Sequence, residues 1–160
     1  MHLLKIDESG ALYDSDEAVD LGQPPGDVVI LTSADTEVSL LARAYKSVQN
    51  AGPDNMGAGG VRIANYLGLT HPYSVDLYLE DTARHAKIVI ARLLGGSSYW
   101  SYGVQQLRAL AEAGTVKVLF LSGDGKPDPE LSYLSSYDAA TCNMLAAYLD
   151  AGGMDNVMAF

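Results

Sequence analysis

The stretch KIVIARLLGGSSYWSYGVQQLRALAEAGTVKVLFL, residues 87–121, contains two apolar runs separated by a glycine–serine turn and an amphipathic segment. Val, Ile and Leu fill both runs without alternating with polar residues, as in strands that are covered on both faces. In the segment between the runs, four apolar side chains recur at helical spacing: Trp100, Val104, Leu107 and Ala111. Gly114 ends this pattern, so the stretch predicts two parallel strands joined by a crossover helix.

Three more apolar runs extend this alternation along the chain. In chain order the five runs are HLLKI (2–6), DVVILT (27–32), VRIANY (61–66), KIVIAR (87–92) and VKVLFL (116–121), and VRIANY is the weakest of them. Stretches with helical periodicity lie between the runs. The pattern therefore predicts an α/β fold of the flavodoxin- or Rossmann-like kind. Its sheet is doubly wound and mostly parallel, with about five strands and helices on both faces. The loops that should lie at the carboxyl ends of the strands, where ligands bind in such folds, are residues 7–10, 33–35, 95–98 and 122–125.

Local signals predict how some of these helices start and which face they bury. Ser33 or Asp35 is a candidate N-cap after the second run, and Ser74 is a candidate in HPYSVDLYLEDTARHA (71–86). The last helical pattern, which ends before Gly152, has this predicted inward face: Tyr137, Thr141, Met144, Leu145 and Tyr148.

The length predicts a single domain. A chain of 160 residues buries enough surface to fold without a metal or a disulfide. We expect residues 1–153 to form this α/β domain. Residues 154–160 resemble the start of a truncated apolar helix, and we interpret them as leading to further C-terminal domains. A short tail docked on the same domain is the alternative.

The charge balance argues against two classes of partner. Ten Lys and Arg stand against twenty Asp and Glu, and the net charge of −10 would repel nucleic-acid phosphates and anionic lipid. No apolar run approaches the about 20 residues that cross a bilayer. The only cysteine, Cys142, lies in an apolar context that predicts a buried side chain and fits a reducing compartment. We therefore expect no nucleic acid, no membrane and a cytoplasmic location.

Signatures of nucleotide and phosphate binding are incomplete. Asp7 and Glu8 follow the first run, where a flavin or dinucleotide phosphate would meet a helix N-terminus, and their negative charge argues against it. GDGK (123–126) lacks the first Gly and the Ser or Thr of a P-loop. The acidic pair and Lys126 resemble parts of a receiver-type signalling domain. However, the strand that should end in the phosphorylated Asp ends near Asn65.

Metal-ligating residues are sparse. Asp81 and His85 lie four residues apart on a predicted helix and could share a metal ion. Because no third ligand lies at a usable spacing, we interpret them as a solvent-exposed pair. We predict no metal site and no bound cofactor for this domain.

The turn at residues 95–100 is the candidate ligand site, and it has two interpretations. Gly95, Gly96, Ser97 and Ser98 would offer backbone N–H groups to an anion at a helix N-terminus, and Tyr99 and Trp100 would offer flat surfaces to an aromatic or macrocyclic ligand. Alternatively, the glycines make the turn, a serine caps the helix, and Trp100 starts its buried face. The residues favour the second, structural interpretation, since turn and cap roles account for all of them.

Three longer segments resemble the large subunits of aerobic cobaltochelatase, which are related to the large (H) subunits of magnesium chelatase. They are EAVDLGQPPGDVVILTSADTE (17–37), RIANYLGLTHPYSVDLYLEDTARHAKIVIARLLGGSSYWSYGVQQLRAL (62–110) and GDGKPDPELSYLS (123–135). The most specific blocks are HPYSVDLYLEDT, RLLGGSSYW and DPEL. The resemblance runs over essentially the whole chain and is to the N-terminal segment of that subunit.

The resemblance implies a concrete activity for a longer parent protein. Large subunits of this family bind the corrinoid and insert Co²⁺ into hydrogenobyrinic acid a,c-diamide in cobalamin biosynthesis. ATP is hydrolysed by partner subunits, namely an AAA+ ATPase and its companion. No catalytic residue of the family matches a position here, so the isolated chain is expected to be inactive. The alternatives are a magnesium chelatase subunit that acts on protoporphyrin IX, and a stand-alone α/β binding or receiver-like domain.

Overall fold

The computed structural model of the protein describes residues 5–6, 12–13, 17–52 and 59–160. The strands are β1 (Lys5–Ile6), β2 (Leu12–Tyr13), β3 (Val28–Thr32), β4 (Val61–Asn65), β5 (Ile88–Leu93) and β6 (Lys117–Ser122). The α-helices are α1 (Asp35–Ala51), α2 (Pro72–Asp81), α3 (Ser101–Glu112), α4 (Pro129–Leu134), α5 (Ala139–Ala151) and α6 (Gly153–Ala159). Short 3₁₀ segments cover Tyr66–Leu69, Ala83–His85 and Ser97–Trp100. No helix in these described ranges is long and apolar enough to cross a membrane.

The main sheet has four parallel strands in the order β4-β3-β5-β6. This confirms the predicted α/β class and the parallel sheet, with four strands in place of about five. The prediction for HLLKI is wrong, because Lys5 and Ile6 pair antiparallel with Tyr13 and Leu12 outside this sheet. Residues 2–4 of that run lie outside the described residues. A short apolar run gives no information about the strand it pairs with. Composition therefore could not distinguish a strand of the main parallel sheet from one in a separate antiparallel pair.

The sheet is covered on both faces, as predicted. Successive strand residues point to opposite faces. Val29 and Leu31 pack with α2, α3 and α4, whereas Ile30 packs with α1, α5 and α6. From β3 the chain passes to β4 on one side, while β5 lies on the other side of β3. The strand order therefore reverses between β3 and β5, and this is the topological switch point of the sheet.

The two predicted helix faces fared differently. The α3 face is confirmed, since Trp100, Val104 and Leu107 are buried. On α5 the predicted face is wrong: Met144 is 54% exposed, and the buried residues are Cys142, Ala146 and Leu149. This helix is apolar on nearly all sides, so its periodicity is compatible with two different buried faces. The face with the smaller side chains packs on the sheet. Burial of Cys142 agrees with its apolar context.

Both edges of the sheet are covered by non-helical segments. Along β4, the Gln23 amide donates to the Ile63 carbonyl at 3.0 Å and accepts from the Tyr78 hydroxyl at 2.6 Å. Along β6, the edge amides of Val118 and Phe120 donate to the hydroxyls of Ser136 and Ser135 at 2.9 and 2.8 Å. The Ile63 carbonyl and the Val118 and Phe120 amides, which an edge strand would otherwise expose, are therefore satisfied.

The last helix, α6, lies where the sequence predicts a new apolar helix. Val157 is buried with Leu41 of α1 and Leu149 of α5, and Met154 and Phe160 pack at the margin of this cluster. Gly152 and Gly153, both with positive φ, make the turn that leads into it.

Candidate functional site at the carboxyl edge of the sheet

The loops that follow the four parallel strands lie together at one edge of the sheet. Three loops predicted to lie there, at residues 33–35, 95–98 and 122–125, do follow β3, β5 and β6. The fourth, at residues 7–10, lies outside the described residues, and so does the prediction about phosphate that rests on Asp7 and Glu8. In open α/β folds, ligands bind at this edge near the switch point.

Three charged side chains meet at the switch point and form what we call the Arg92 triad: Arg92, Glu37 and Asp150. The guanidinium group of Arg92 contacts Glu37 Oε1 at 2.6 Å and Asp150 Oδ1 at 2.8 Å. Only 11% of the Arg92 side chain and 14% of the Glu37 side chain are exposed, so water screens the first pair weakly. The Thr32 hydroxyl donates to Glu37 Oε2. The triad joins β5, α1 and the last turn of α5, with its charges turned toward one another.

The clefts beside the triad are small. One, of about 80 Å³, is lined mainly by Thr32, Ser33 and Ala34 on one side and by Leu94 and Gly123 on the other, with Glu37 and Arg92 between them. The other, of about 210 Å³, lies between α1, the end of α5 and α6. Sites for drug-sized ligands have volumes of about 300–1,000 Å³. These clefts have room for a few atoms of a ligand.

The start of α1 shows why sequence signals misplaced its cap. Ala34 is the N-cap residue, and no described side chain caps this end, so the predicted caps at Ser33 and Asp35 are wrong. Asp35 instead accepts a hydrogen bond from the Asn65 side chain at 2.7 Å.

The predicted cap of α2, Ser74, is also wrong. His71 is the N-cap, and its Nδ1 accepts a hydrogen bond from the Tyr73 amide. Ser74 is buried, and its hydroxyl accepts a hydrogen bond from the Val19 amide.

The glycine turn predicted as a candidate anion site already holds carboxylates of the protein. Gly95 has φ +87°, a conformation that L side chains rarely adopt. Its N–H lies 3.2 Å from both carboxylate oxygens of Asp124. The hydroxyl of Ser97 donates to Glu130 at 2.8 Å. An incoming anion would have to displace these carboxylates, so the turn is electrostatically suited to a cationic group.

The helical cap predicted at Ser97 or Ser98 is also wrong. The residue before the 3₁₀ segment is Gly96, and the residue before α3 is Trp100; neither position has a described side-chain cap. Ser98 and Tyr99 are exposed, and 59% of Tyr99 is accessible. The turn thus exposes Tyr99 to solvent, whereas Ser97 is hydrogen-bonded to Glu130 of α4.

Trp100 points inward, as the structural interpretation predicts. It is 6% exposed, its indole N–H donates to the Leu69 carbonyl at 2.8 Å, and its ring stacks on Tyr66 with a centroid separation of 5.0 Å. A Cβ added at Gly103 would lie 2.1 Å from the indole ring, so α3 needs glycine at its third residue to accommodate Trp100. The only sign of this requirement in the sequence is a glycine inside a helical pattern. A ligand role for residues 95–100 stays a prediction.

The described residues contain no group of three or more His, Cys, Asp or Glu placed to hold a metal ion. Asp81 and His85 are both exposed, and His85 Nε2 lies 3.1 Å from the Glu80 carbonyl oxygen.

Shifted pKa values in the described part have local structural causes. Burial raises the pKa of Tyr78, and the hydrogen bond to Asp76 raises the pKa of Tyr102.

The known proteins to which this chain is similar are subunits of cobaltochelatase. No family model matches it. Over all 160 residues it is 42% identical to the aerobic cobaltochelatase subunit CobN of a Sinorhizobium species and 41% identical to that of Pseudomonas aeruginosa. The chain spans 12% of the length of each of these relatives. The catalytic subunit of cobaltochelatase from Mycobacterium tuberculosis matches 84% of this chain with a TM-score of 0.61 and 25% identity, over 10% of its own length. The resemblance to the N-terminal region of cobaltochelatase large subunits is confirmed.

Proposed function

We propose that this chain is the N-terminal part of a cobaltochelatase large subunit. In this proposal the whole subunit binds the corrinoid and inserts Co²⁺ into hydrogenobyrinic acid a,c-diamide, and separate subunits, an AAA+ ATPase and its companion, hydrolyse ATP. The observation that carries the proposal is the 42% identity to CobN over every residue of the chain. The structural match to a cobaltochelatase catalytic subunit, with a TM-score of 0.61, supports it as well.

Within such a subunit, we assign this domain a supporting role in a cytoplasmic enzyme and no cofactor of its own. The clefts at its carboxyl edge, about 80 and 210 Å³, are smaller than the volume that a corrinoid ring would need. The Arg92 triad is internally paired, and the Gly95 N–H already donates to Asp124. These contacts suit a scaffold whose polar groups are used in its own fold. The domain alone is expected neither to insert metal nor to hydrolyse ATP.

A domain exchange tests the proposal. The matching segment of a CobN relative is replaced by this chain, and the chimera is purified with the partner subunits of that relative. Insertion of Co²⁺ into hydrogenobyrinic acid a,c-diamide is then followed by absorbance in the presence of ATP. We expect cobalt insertion at a rate comparable with that of the parent subunit, and none from the 160-residue chain alone.

Two controls make the result decisive. A chimera that carries an unrelated α/β domain of similar size in the same place should be inactive. The same exchange into the large subunit of a magnesium chelatase, assayed with Mg²⁺ and protoporphyrin IX, tests the magnesium chelatase alternative. A folded cobaltochelatase chimera that assembles with the partner subunits but inserts no cobalt would contradict the proposal, above all if the magnesium chelatase chimera is active.

A further inference from the structure

The exposed apolar side chains of this domain are unevenly distributed. Eight large apolar side chains are exposed in the described residues. Four of them lie in the segments that follow the carboxyl ends of β4 and β5: Leu67, Tyr73, Leu94 and Tyr99, with exposed fractions of 41%, 57%, 51% and 59%. We call these four residues the carboxyl-face patch. Single exposed apolar residues are ordinary, whereas a group on one face marks an interaction surface.

Buried contacts hold the two segments of the patch together. The Trp100 indole N–H donates to the Leu69 carbonyl, and its ring stacks on Tyr66, so segment 97–100 is fixed against segment 66–69. Tyr99 lies over the turn, because a Cβ at Gly95 would be 3.4 Å from its ring. The patch is therefore carried by a pre-organised backbone, which lowers the entropic cost of binding.

Carboxylates border the patch on the β6 side. Asp124 and Glu130 are tied to the glycine turn by Gly95 and Ser97, and the Asp128 side chain lies beside Gly96. Their negative charges lie at the rim of the patch, where charge complementarity selects a partner and its orientation. A surface that combines apolar side chains with Lys or Arg fits this face.

We propose that the carboxyl-face patch docks against a basic, apolar surface elsewhere in the same large subunit. This inference rests on the proposed function, since the chain spans 12% of the curated relatives and the rest of such a subunit is available as the occupant. Tyrosine rings supply the apolar contact, and the carboxylates at the rim pair with the cationic side chains of the neighbouring domain. The two clefts beside the Arg92 triad accept at most a protruding side chain from that surface.

Thiol labelling tests the proposal in the chain as it is and in the full-length chimera. Tyr73→Cys and Tyr99→Cys are made singly in both proteins, and the rate of maleimide labelling at each site is measured by peptide mass spectrometry. We expect both sites to react about tenfold or more slowly in the chimera than in the 160-residue chain, because a docked thiol reacts only after local opening. Met144→Cys, on a 54% exposed residue of α5, which packs on the other face of the sheet, should react equally fast in both.

A charge reversal tests the chemistry of the occupant. Glu130→Arg should reduce the protection of Tyr99→Cys several-fold, measured as the ratio of its labelling rates in the 160-residue chain and in the chimera, because it repels the basic surface. The same substitution in the 160-residue chain corrects for its local effect on the thiol and on the hydrogen bond with Ser97. Asp81→Arg, the same change of charge on an exposed residue at the end of α2, should leave that ratio unchanged.

The labelling result is read independently of cobalt insertion. Equal labelling of both patch sites in chain and chimera, in a chimera that inserts cobalt, would overturn the docking proposal and leave the proposed function intact. Protection in a chimera that inserts no cobalt would support docking and contradict the function. Protection that appears only after hydrogenobyrinic acid a,c-diamide is added would assign the face to the ring and overturn the proposal.

Discussion

The glycine turn at residues 95–100 and the Arg92 triad occupy the same edge of the sheet and differ in how they are built. The turn is one continuous segment, whose local sequence carries glycines, serines and aromatics. The triad joins Glu37, Arg92 and Asp150, which are separated by 55 and 58 residues along the chain. A conspicuous local motif turned out to have mainly internal contacts, and the most buried charges at this edge came from residues with no local signature.

The largest expected effect is on the turn. Trp100→Ala should lower the free energy of unfolding by about 3–5 kcal/mol, because it removes a buried aromatic ring. Urea unfolding followed by circular dichroism measures this. Tyr99→Ala, at the exposed neighbouring position, should change stability by less than about 0.5 kcal/mol. A stable Trp100→Ala variant, together with saturable quenching of wild-type tryptophan fluorescence by a corrinoid, would make the turn a ligand site.

Removing the cation of the triad should have the next largest effect. Arg92→Ala leaves Glu37 and Asp150 close together without a countercharge, and we expect a loss of about 2–4 kcal/mol, less than for a fully buried group since Asp150 is 30% exposed. Arg84→Ala is the matched control, because its pair with Glu80 is solvent-exposed and should contribute at most about 1 kcal/mol. Equal effects of the two substitutions would remove the distinction between the triad and surface ion pairs.

A smaller effect is expected from the backbone of the turn. Gly95→Ala forces a side chain into a left-handed conformation at φ +87°, which should cost about 1–2 kcal/mol. Thermal unfolding of this variant and of Ser98→Ala, at an exposed position in the same turn, measures the difference. A Gly95→Ala protein as stable as Ser98→Ala would show that the turn does not need its glycine.

The smallest expected effect concerns pH and lies outside both regions. Hydrogen bonds from the Thr141 side chain and backbone N–H hold the pKa of Asp138 below its ordinary value at the start of α5. A carboxyl whose folded pKa is lowered stabilises the fold above its unfolded pKa of about 3.9, and this contribution is lost as the pH falls through the folded pKa. Asp138→Asn should therefore flatten the acid side of the stability profile in urea titrations below about pH 4. An unchanged acid slope in Asp138→Asn would contradict this assignment.

The parts of the molecule that were predictable from sequence share one property. Strands β3, β4, β5 and β6 followed from short apolar runs, and the inward face of α3 followed from helical periodicity; both signals are visible within one segment. The carboxyl-edge loops followed from the parallel order of the strands. The prediction for HLLKI assigned it to the wrong sheet, because the pairing partner of a strand depends on tertiary contacts. The predicted buried face of α5 was wrong, because apolar residues surround that helix.

The candidate site was less accessible to the same reasoning. Ser33 is a good local cap by composition, yet the helix starts one residue later and the side chain of Asp35 binds Asn65 from the edge strand. Glu37 and Asp150 were each an ordinary acidic residue in a helix until the fold placed Arg92 between them. Side chains that act through long-range contacts carry no spacing that a single segment can show.

The two serines beside β6 have a consequence for how this domain meets other chains. An extended peptide that tried to add a strand there would have to displace the hydroxyls of Ser135 and Ser136 from the amides of Phe120 and Val118. The sheet is thus closed to growth by strand exchange on that side, without a covering helix or a charged side chain. A newly synthesised domain with this edge is protected against edge-to-edge aggregation there from the moment Ser135 and Ser136, which follow α4, are in place.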